Sequence, residues 1–341
     1  MDGIRCKSRA LIEIANDGTV VYLEGHDTAH SQSGFFWMGQ DLKNEPFTSI
    51  RGNDWDGFAL SPSQERVVLV IDGDLRMVDT RQSKNPTPRP ITRDPADDHH
   101  PVWAGDGQSI FFYSDRPSPG GKHGIWNIAS DFLGKTKPKL IFGSNESIFL
   151  PYQHTKKGLL LLRMDNEDSN GIYILDTSIP SSTPELILES RYNETRPALS
   201  PDGQWLAYLS LETGEPGVYV MPLDRSSPSR LISGTNGHTP VWSSDGSKLM
   251  WLRGPYFEYL DRFENGESDE TVHTFVTEQF QMLGKQLEYA PTTIAFSKDN
   301  NRIFILAHDV KEVELEWLPT SPPSILRMIT QWNPAANTVR R

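Results

Sequence analysis

Nine side chains able to bind or react stand at related places along this chain: Trp55, Asp56, Asp98, His99, His100, Glu194, Arg196, His238 and Tyr289. Asn193 and Thr239 accompany them. Each group comes a few residues ahead of a turn-forming segment that recurs through the sequence. Imidazole exchanges protons near neutral pH and ligates metals. The planar fork of arginine clamps a carboxylate through two parallel hydrogen bonds. The rings of Trp55 and Tyr289 suit a sugar or another planar group. Trp55, Asp56, His99, His100, Glu194, Arg196, His238 and Tyr289 are therefore expected to open onto one face and bind a polar ligand there. His99 and His100 are adjacent in an extended segment, so their side chains should point to opposite sides. His100 precedes Pro101 as Arg196 precedes Pro197, which favours His100 as the inward one.

Catalytic signatures are scarcer. The chain has no Gly-x-Ser-x-Gly elbow, and its one cysteine, Cys6, lies near the N-terminus. Asp56, Asp98 and Glu194 leave a paired-carboxylate hydrolase open, because their separation is not readable from sequence. His100, His154 and His238 are the weaker candidates for ligands to a divalent metal such as Zn or Mn. No tight spacing such as His-x₃-His joins them, so no metal site and no cofactor is assigned.

The elements that must position these groups are strands. Pro-Val-Trp-x-x-Asp-Gly occurs at 101–107 and again at 240–246, and Pro-Ala-Leu-Ser-Pro-Asp-Gly fills 197–203. Fainter copies place seven corners, at Asp17-Gly18, Ser63-Gln64, Asp106-Gly107, Lys157-Gly158, Asp202-Gly203, Asp245-Gly246 and Asp299-Asn300, 43 to 54 residues apart. Gly accepts the positive φ of a tight turn and Asp bonds the amide two residues on, so the corner carboxylates read as turn formers rather than catalytic acids. Apolar runs such as RVVLVIDG, SIFFYSD and WLAYLSL follow the corners and read as buried strands. Most units then offer a third strand and several a fourth. The expectation is an all-β, seven-bladed β-propeller of four-stranded antiparallel blades, with six blades as the alternative, occupying residues 1–341 as one domain. The last unit lacks a fourth strand, and N-terminal residues near Ile4–Lys7 are expected to supply it and close the ring. Trp103 and Trp242, each three residues before a corner, are expected between neighbouring blades. The aromatic segment Gly254–Tyr259 reads either as packing or as an exposed platform.

Composition narrows the partners. Formal charge is −12, from 45 acidic and 33 basic residues, without a basic stripe, which argues against a nucleic-acid partner. No apolar N-terminal segment follows Met1, and no run approaches the ~20 apolar residues of a membrane-spanning helix. The expected location is the cytoplasm, or a soluble domain within a larger protein.

Ser200-Pro201-Asp202-Gly203, its partial copies at Ser61-Pro62, Gly105-Asp106-Gly107 and Ser244-Asp245-Gly246, and the downstream Ile172-Tyr173 and Val218-Tyr219 together resemble the TolB-type repeat. The order of units, from Gly18–Tyr22 to Met328–Trp332, is similar to the C-terminal propeller of bacterial serine/threonine kinases. The kinase signatures themselves are missing from this sequence. The resemblance implies a sensing or interaction module that recognises a protein or small polar ligand at the funnel of the central channel. Some TolB-like propellers are metal-dependent oligogalacturonate lyases. The alternative is thus an enzyme, a lyase or hydrolase on an acidic or glycosidic substrate, working in the same funnel.

Overall fold

The computed structural model describes residues 57–79, 81, 86–119, 121–131, 136–164, 170–253 and 256–260, with further strands at 12–14, 20–22, 33–39, 44–46, 272–276, 294–296 and 302–308. The chain divides into two units, residues 1–32 with 310–341, and residues 33–309. In the first, β1 (Ile12–Ile14) and β2 (Val20–Tyr22) pair as an antiparallel hairpin.

The second unit is built from four-stranded antiparallel sheets, the blades of a propeller. The chain enters through β3 (Ser33–Gly39) and β4 (Asn44–Pro46). The first contiguous sheet is β5 (Gly57–Leu60), β6 (Arg66–Ile71), β7 (Asp74–Asp79) and β8 (Arg89–Pro90). The second is β9 (Asp98–Trp103), β10 (Ser109–Ser114), β11 (His123–Ala129) and β12 (Lys139–Ser144). The third is β13 (Ile148–Thr155), β14 (Gly158–Met164), β15 (Gly171–Leu175) and β16 (Glu185–Glu189). The fourth is β17 (Thr195–Leu199), β18 (Trp205–Ser210), β19 (Gly217–Pro222) and β20 (Arg230–Leu231). The fifth is β21 (His238–Trp242), β22 (Leu249–Arg253), β23 (Tyr256–Leu260) and β24 (Val272–Val276). The last pair, β25 (Ile294–Phe296) and β26 (Arg302–His308), joins β3 and β4 in a composite sheet ordered β25-β26-β3-β4.

Among the described residues the chain forms neither the seven four-stranded blades expected nor six contiguous ones. Among the described residues, five sheets are contiguous and one is composite, while β1–β2 remains two-stranded. The physical reason is pairing length. All seven residues of β26 pair with all seven of β3, from Arg302↔Gly39 to His308↔Ser33. β3 and β4, which follow the first corner, thus complete the sheet that β25 and β26 begin at the last one. N-terminal chain does complete the last sheet, but with β3 and β4. Ile4–Lys7 lies outside the described residues.

The corners form as their residues require. Gly107, Gly203 and Gly246 hold φ of +68°, +72° and +76°, and Gln64 adopts +63° at the matching place. Asp106, Asp202 and Asp245 each accept the amide two residues on at 2.9–3.0 Å. Those bonds occupy the corner carboxylates in turn structure.

Each inner strand packs across the preceding sheet: β9 against β5, β6 and β7, β17 against β13, β14 and β15, and β21 against β17, β18 and β19. The core lies in these seams. Trp103 and Trp242 are buried there, 5% and 8% exposed. Their indoles donate to the carbonyls of Ala59 (2.9 Å) and Ala198 (3.1 Å) in the preceding sheet. Arg66 crosses the same seam as Trp103. Its guanidinium lies 4.8 Å from that ring and donates to the Gly107 carbonyl at 2.9 Å. Gln153 ties β13 to β17 through both the amide and the carbonyl of Leu199.

Candidate functional site

The starts of three inner strands carry a shared distortion. In β9, His99 faces Tyr113 and Val102 faces Phe111, so His100 and Pro101 together oppose Phe112. In β17, Arg196 and Pro197 oppose Tyr208 in the same manner, and in β21 Thr239 and Pro240 oppose Trp251. Each is a β-bulge with one extra residue before a proline. His100, Arg196 and Thr239 hold φ of +54°, +51° and +52°. The left-handed region costs an L-residue about 1–2 kcal/mol, and a proline disfavours any helical conformation in the residue before it. For β-branched Thr239 this is a marked outlier. Proline suits the neighbouring position because it brings no amide for the interrupted ladder to satisfy.

Of the eight expected binding residues, the structure describes five. His99 and His100 lie in β9, and Arg196 lies in β17; all three are half-buried. Glu194 immediately precedes β17 and His238 begins β21. Trp55, Asp56 and Tyr289 are outside the described residues. The structure brings Arg196, His238 and Thr239 together. Nη1 of Arg196 donates to Oγ1 of Thr239 in the next sheet. Burial, and then the charge of Arg196, hold the His238 imidazole below its ordinary range. Arg196 is thus a tie between blades as well as a candidate ligand clamp.

Two carboxylates at the strand starts are held from within. Asp98 is fully buried, and Arg116 Nη2 reaches its two oxygens at 2.6 and 2.7 Å. The same guanidinium bonds Asp94 at 3.0 Å and lies over the rings of Trp126 and Phe112 at 5.0 and 5.4 Å. Burial pushes the Asp98 carboxyl up, and hydrogen bonds from Ser114, Arg116 and Thr92 oppose it. Glu194 is only 3% exposed, against the expectation that it opens onto the face. Its Oε1 accepts from Ser190 at 2.5 Å and Ser210 at 3.5 Å.

The histidine set does not assemble a metal site among the described residues, where no three His, Cys, Asp or Glu side chains stand close enough to share an ion. His154 is instead a seam residue. Its Nδ1 accepts the Gly105 amide at 3.2 Å, Nε2 meets Thr177 Oγ1 at 3.1 Å, and its ring stacks on Phe111 at 4.9 Å. An Nδ1 that accepts leaves the proton on Nε2, so neither nitrogen offers a lone pair to a metal. His123 shares a 2.8 Å hydrogen bond with the Tyr113 hydroxyl. The aromatic segment falls in β23. There Tyr259 is buried, and Glu258 accepts from the Trp251 indole at 2.8 Å, which favours packing over a platform.

Sequence reasoning passed over Arg116 and named Thr239 only as a companion of His238. Arg116 gives no local signal, because Asp98, the carboxylate it clamps, lies across the β9–β10 ladder, 18 residues earlier in the chain. Thr239 was legible as the residue before Pro240, the place that His100 and Arg196 hold in their units.

No protein-family model and no curated protein matches this chain. The solved structures it resembles are β-propellers. A putative TolB from Agrobacterium tumefaciens has a TM-score of 0.59 at 15% identity, over 82% of this chain and 98% of that one. TolB from Acinetobacter baumannii scores 0.50 at 13% identity, over 81% of this chain and 63% of that one. An oligogalacturonate lyase in complex with manganese scores 0.53 at 14% identity, over 81% and 82% of the two chains. The fold is that of a TolB-like propeller. None of these three is a kinase propeller, so the narrower likeness stated above finds no support in them.

Proposed function

We propose that the protein is a binding module that recognises a polar ligand, small or carried by a protein, at the starts of its inner strands. The observation behind this reading is the trio of left-handed residues His100, Arg196 and Thr239 at one place in three sheets. Backbone strain of this kind costs about 1–3 kcal/mol per residue and clusters where a site needs a fixed geometry. Here it presents an imidazole, a guanidinium and a hydroxyl. The manganese-bound lyase motivates the enzyme alternative through its fold alone, and the engagement of Asp98 and His154 with protein neighbours favours the binder.

Oligogalacturonate is the probe that separates the two. Titration calorimetry should register saturable binding that Arg196→Ala weakens at least about tenfold, as for loss of a charge-assisted bidentate contact. Ultraviolet absorbance of the same mixture should show no unsaturated product. Accumulation of that product would establish a lyase instead. Heat-silent mixing for oligogalacturonate and for small di- and tricarboxylates would remove the anionic-ligand reading.

A further inference from the structure

The hairpin β17–β18 repeats the hairpin β9–β10 after 96 positions. Glu194 stands where Asp98 does, Ser210 where Ser114 does, and Tyr208 where Phe112 does. Tyr219 faces Tyr208 across the ladder as Trp126 faces Phe112. The loop after the second strand is anchored alike in both: the Arg116 amide donates to Ser114 Oγ at 3.3 Å and the Glu212 amide to Ser210 Oγ at 3.2 Å. One difference separates the copies. In the first, the loop residue is Arg116, whose guanidinium clamps the buried carboxylate and covers the aromatic pair. In the second it is Glu212, an exposed acid.

The consequence is visible in the hydrogen bonding. Glu194 Oε2 and the Tyr219 hydroxyl are both buried, and neither has a hydrogen-bond partner among the described residues. A desolvated carboxylate oxygen left unpaired is costly, more so than a neutral group. Tyr208 and Tyr219 stack at 5.9 Å beside it. The flanking residues 211–215 are exposed, so the loop that covers this corner faces solvent.

We propose that Glu194 and the Tyr208–Tyr219 pair receive a guanidinium group from outside the chain, in the role that Arg116 plays within the second sheet. The donor is an arginine side chain of a peptide or a small guanidino compound. A guanidinium is preferred to an ammonium because a planar cation can lie over an aromatic ring while its N–H edge meets a carboxylate. Glu212 adds attraction at the rim. Glu194 stands two residues before Arg196, and its buried oxygen calls for a cation whatever the left-handed residues bind.

The test uses the whole chain and blocked amino acids at matched ionic strength. N-acetyl-arginine amide should bind saturably in titration calorimetry and raise the melting temperature. The lysine and citrulline analogues should bind at least about tenfold more weakly, as for loss of charge-assisted bidentate pairing. Glu194→Gln should weaken the arginine analogue by a similar factor. Glu212→Arg, at an exposed position, should let the chain supply its own guanidinium, raising the melting temperature of the free protein and removing the response to the arginine analogue. A blocked Gly-Arg-Gly peptide binding more tightly than the single residue would identify a peptide as the source, and equal affinity a small molecule. Citrulline binding equal to arginine, or a Glu212→Arg protein that is neither stabilised nor insensitive to the ligand, would overturn the proposal.

Discussion

Trp103 and Trp242 show how one side chain type repeats one structural task. Each fills a seam and donates its indole proton to the carbonyl one position before the homologous end of the preceding inner strand. Replacing either with alanine should cost about 3–5 kcal/mol, combining lost burial with a cavity, and urea unfolding of the single variants measures it. Arg116 is held more by chemistry than by volume. Its removal strands Asp98 as a buried charge, and Arg116→Ala should cost about 3–5 kcal/mol. Asp98→Asn in that background should recover part of the loss. Recovery of nothing would mean that the guanidinium acts through its packing on Trp126 and Phe112.

The histidines add a pH dependence of known sign. Burial holds the imidazoles of His154 and His238 below their ordinary range, with Arg196 adding to the effect at His238. Above about pH 6.5, the ordinary histidine value, both states of the chain keep these rings neutral and the stability is fully present. Below it the unfolded chain takes up protons that the folded one resists, so stability falls as pH falls toward the depressed folded values. Melting temperature should therefore decline from pH 7 to pH 5. A double His154→Gln, His238→Gln variant should show a shallower decline, and an unchanged slope would assign the effect elsewhere.

At the scale of the element, corner and bulge illustrate two uses of the left-handed backbone. At the corners it is structural, and glycine takes a positive φ at little cost in four of the five described cases. Gln64 is the exception, so Gln64→Gly should relieve up to about 1–2 kcal/mol of strain, while Gly203→Ala should add a similar amount. A β-carbon at Gly203 would also come within 2.8 Å of the Lys157 side chain. Thermal melts of the two variants should move in opposite directions. At the bulges no glycine appears. His100, Arg196 and Thr239 keep side chains where a left-handed backbone would favour glycine, which a purely structural turn would not require.

For the whole molecule, the composite sheet is the feature on which cooperativity should rest. β26 pairs with β3 along its full length, so removing residues 1–46 would leave a long strand edge without its partner. The truncated protein should lose its single sharp unfolding transition and associate at concentrations where the full chain does not. Light scattering during a melt checks this. Strands, corners and seams were legible in the sequence because each rests on local chemistry: alternation of apolar residues, a glycine at a turn, a large apolar residue three positions before it. The five described candidates, His99, His100, Glu194, Arg196 and His238, stand at or just before the starts of inner strands, the register positions their repeats suggested. What tertiary structure decided was pairing between distant segments. A strand carries no mark of which edge it will join, so β3 and β4 read as part of the first unit until β26 takes them up. Nor does a carboxylate announce its partner. Asp98 and Glu194 hold equivalent places in their repeats, and only folding shows that Arg116 secures the first while the second, among the described residues, keeps a buried oxygen unpaired.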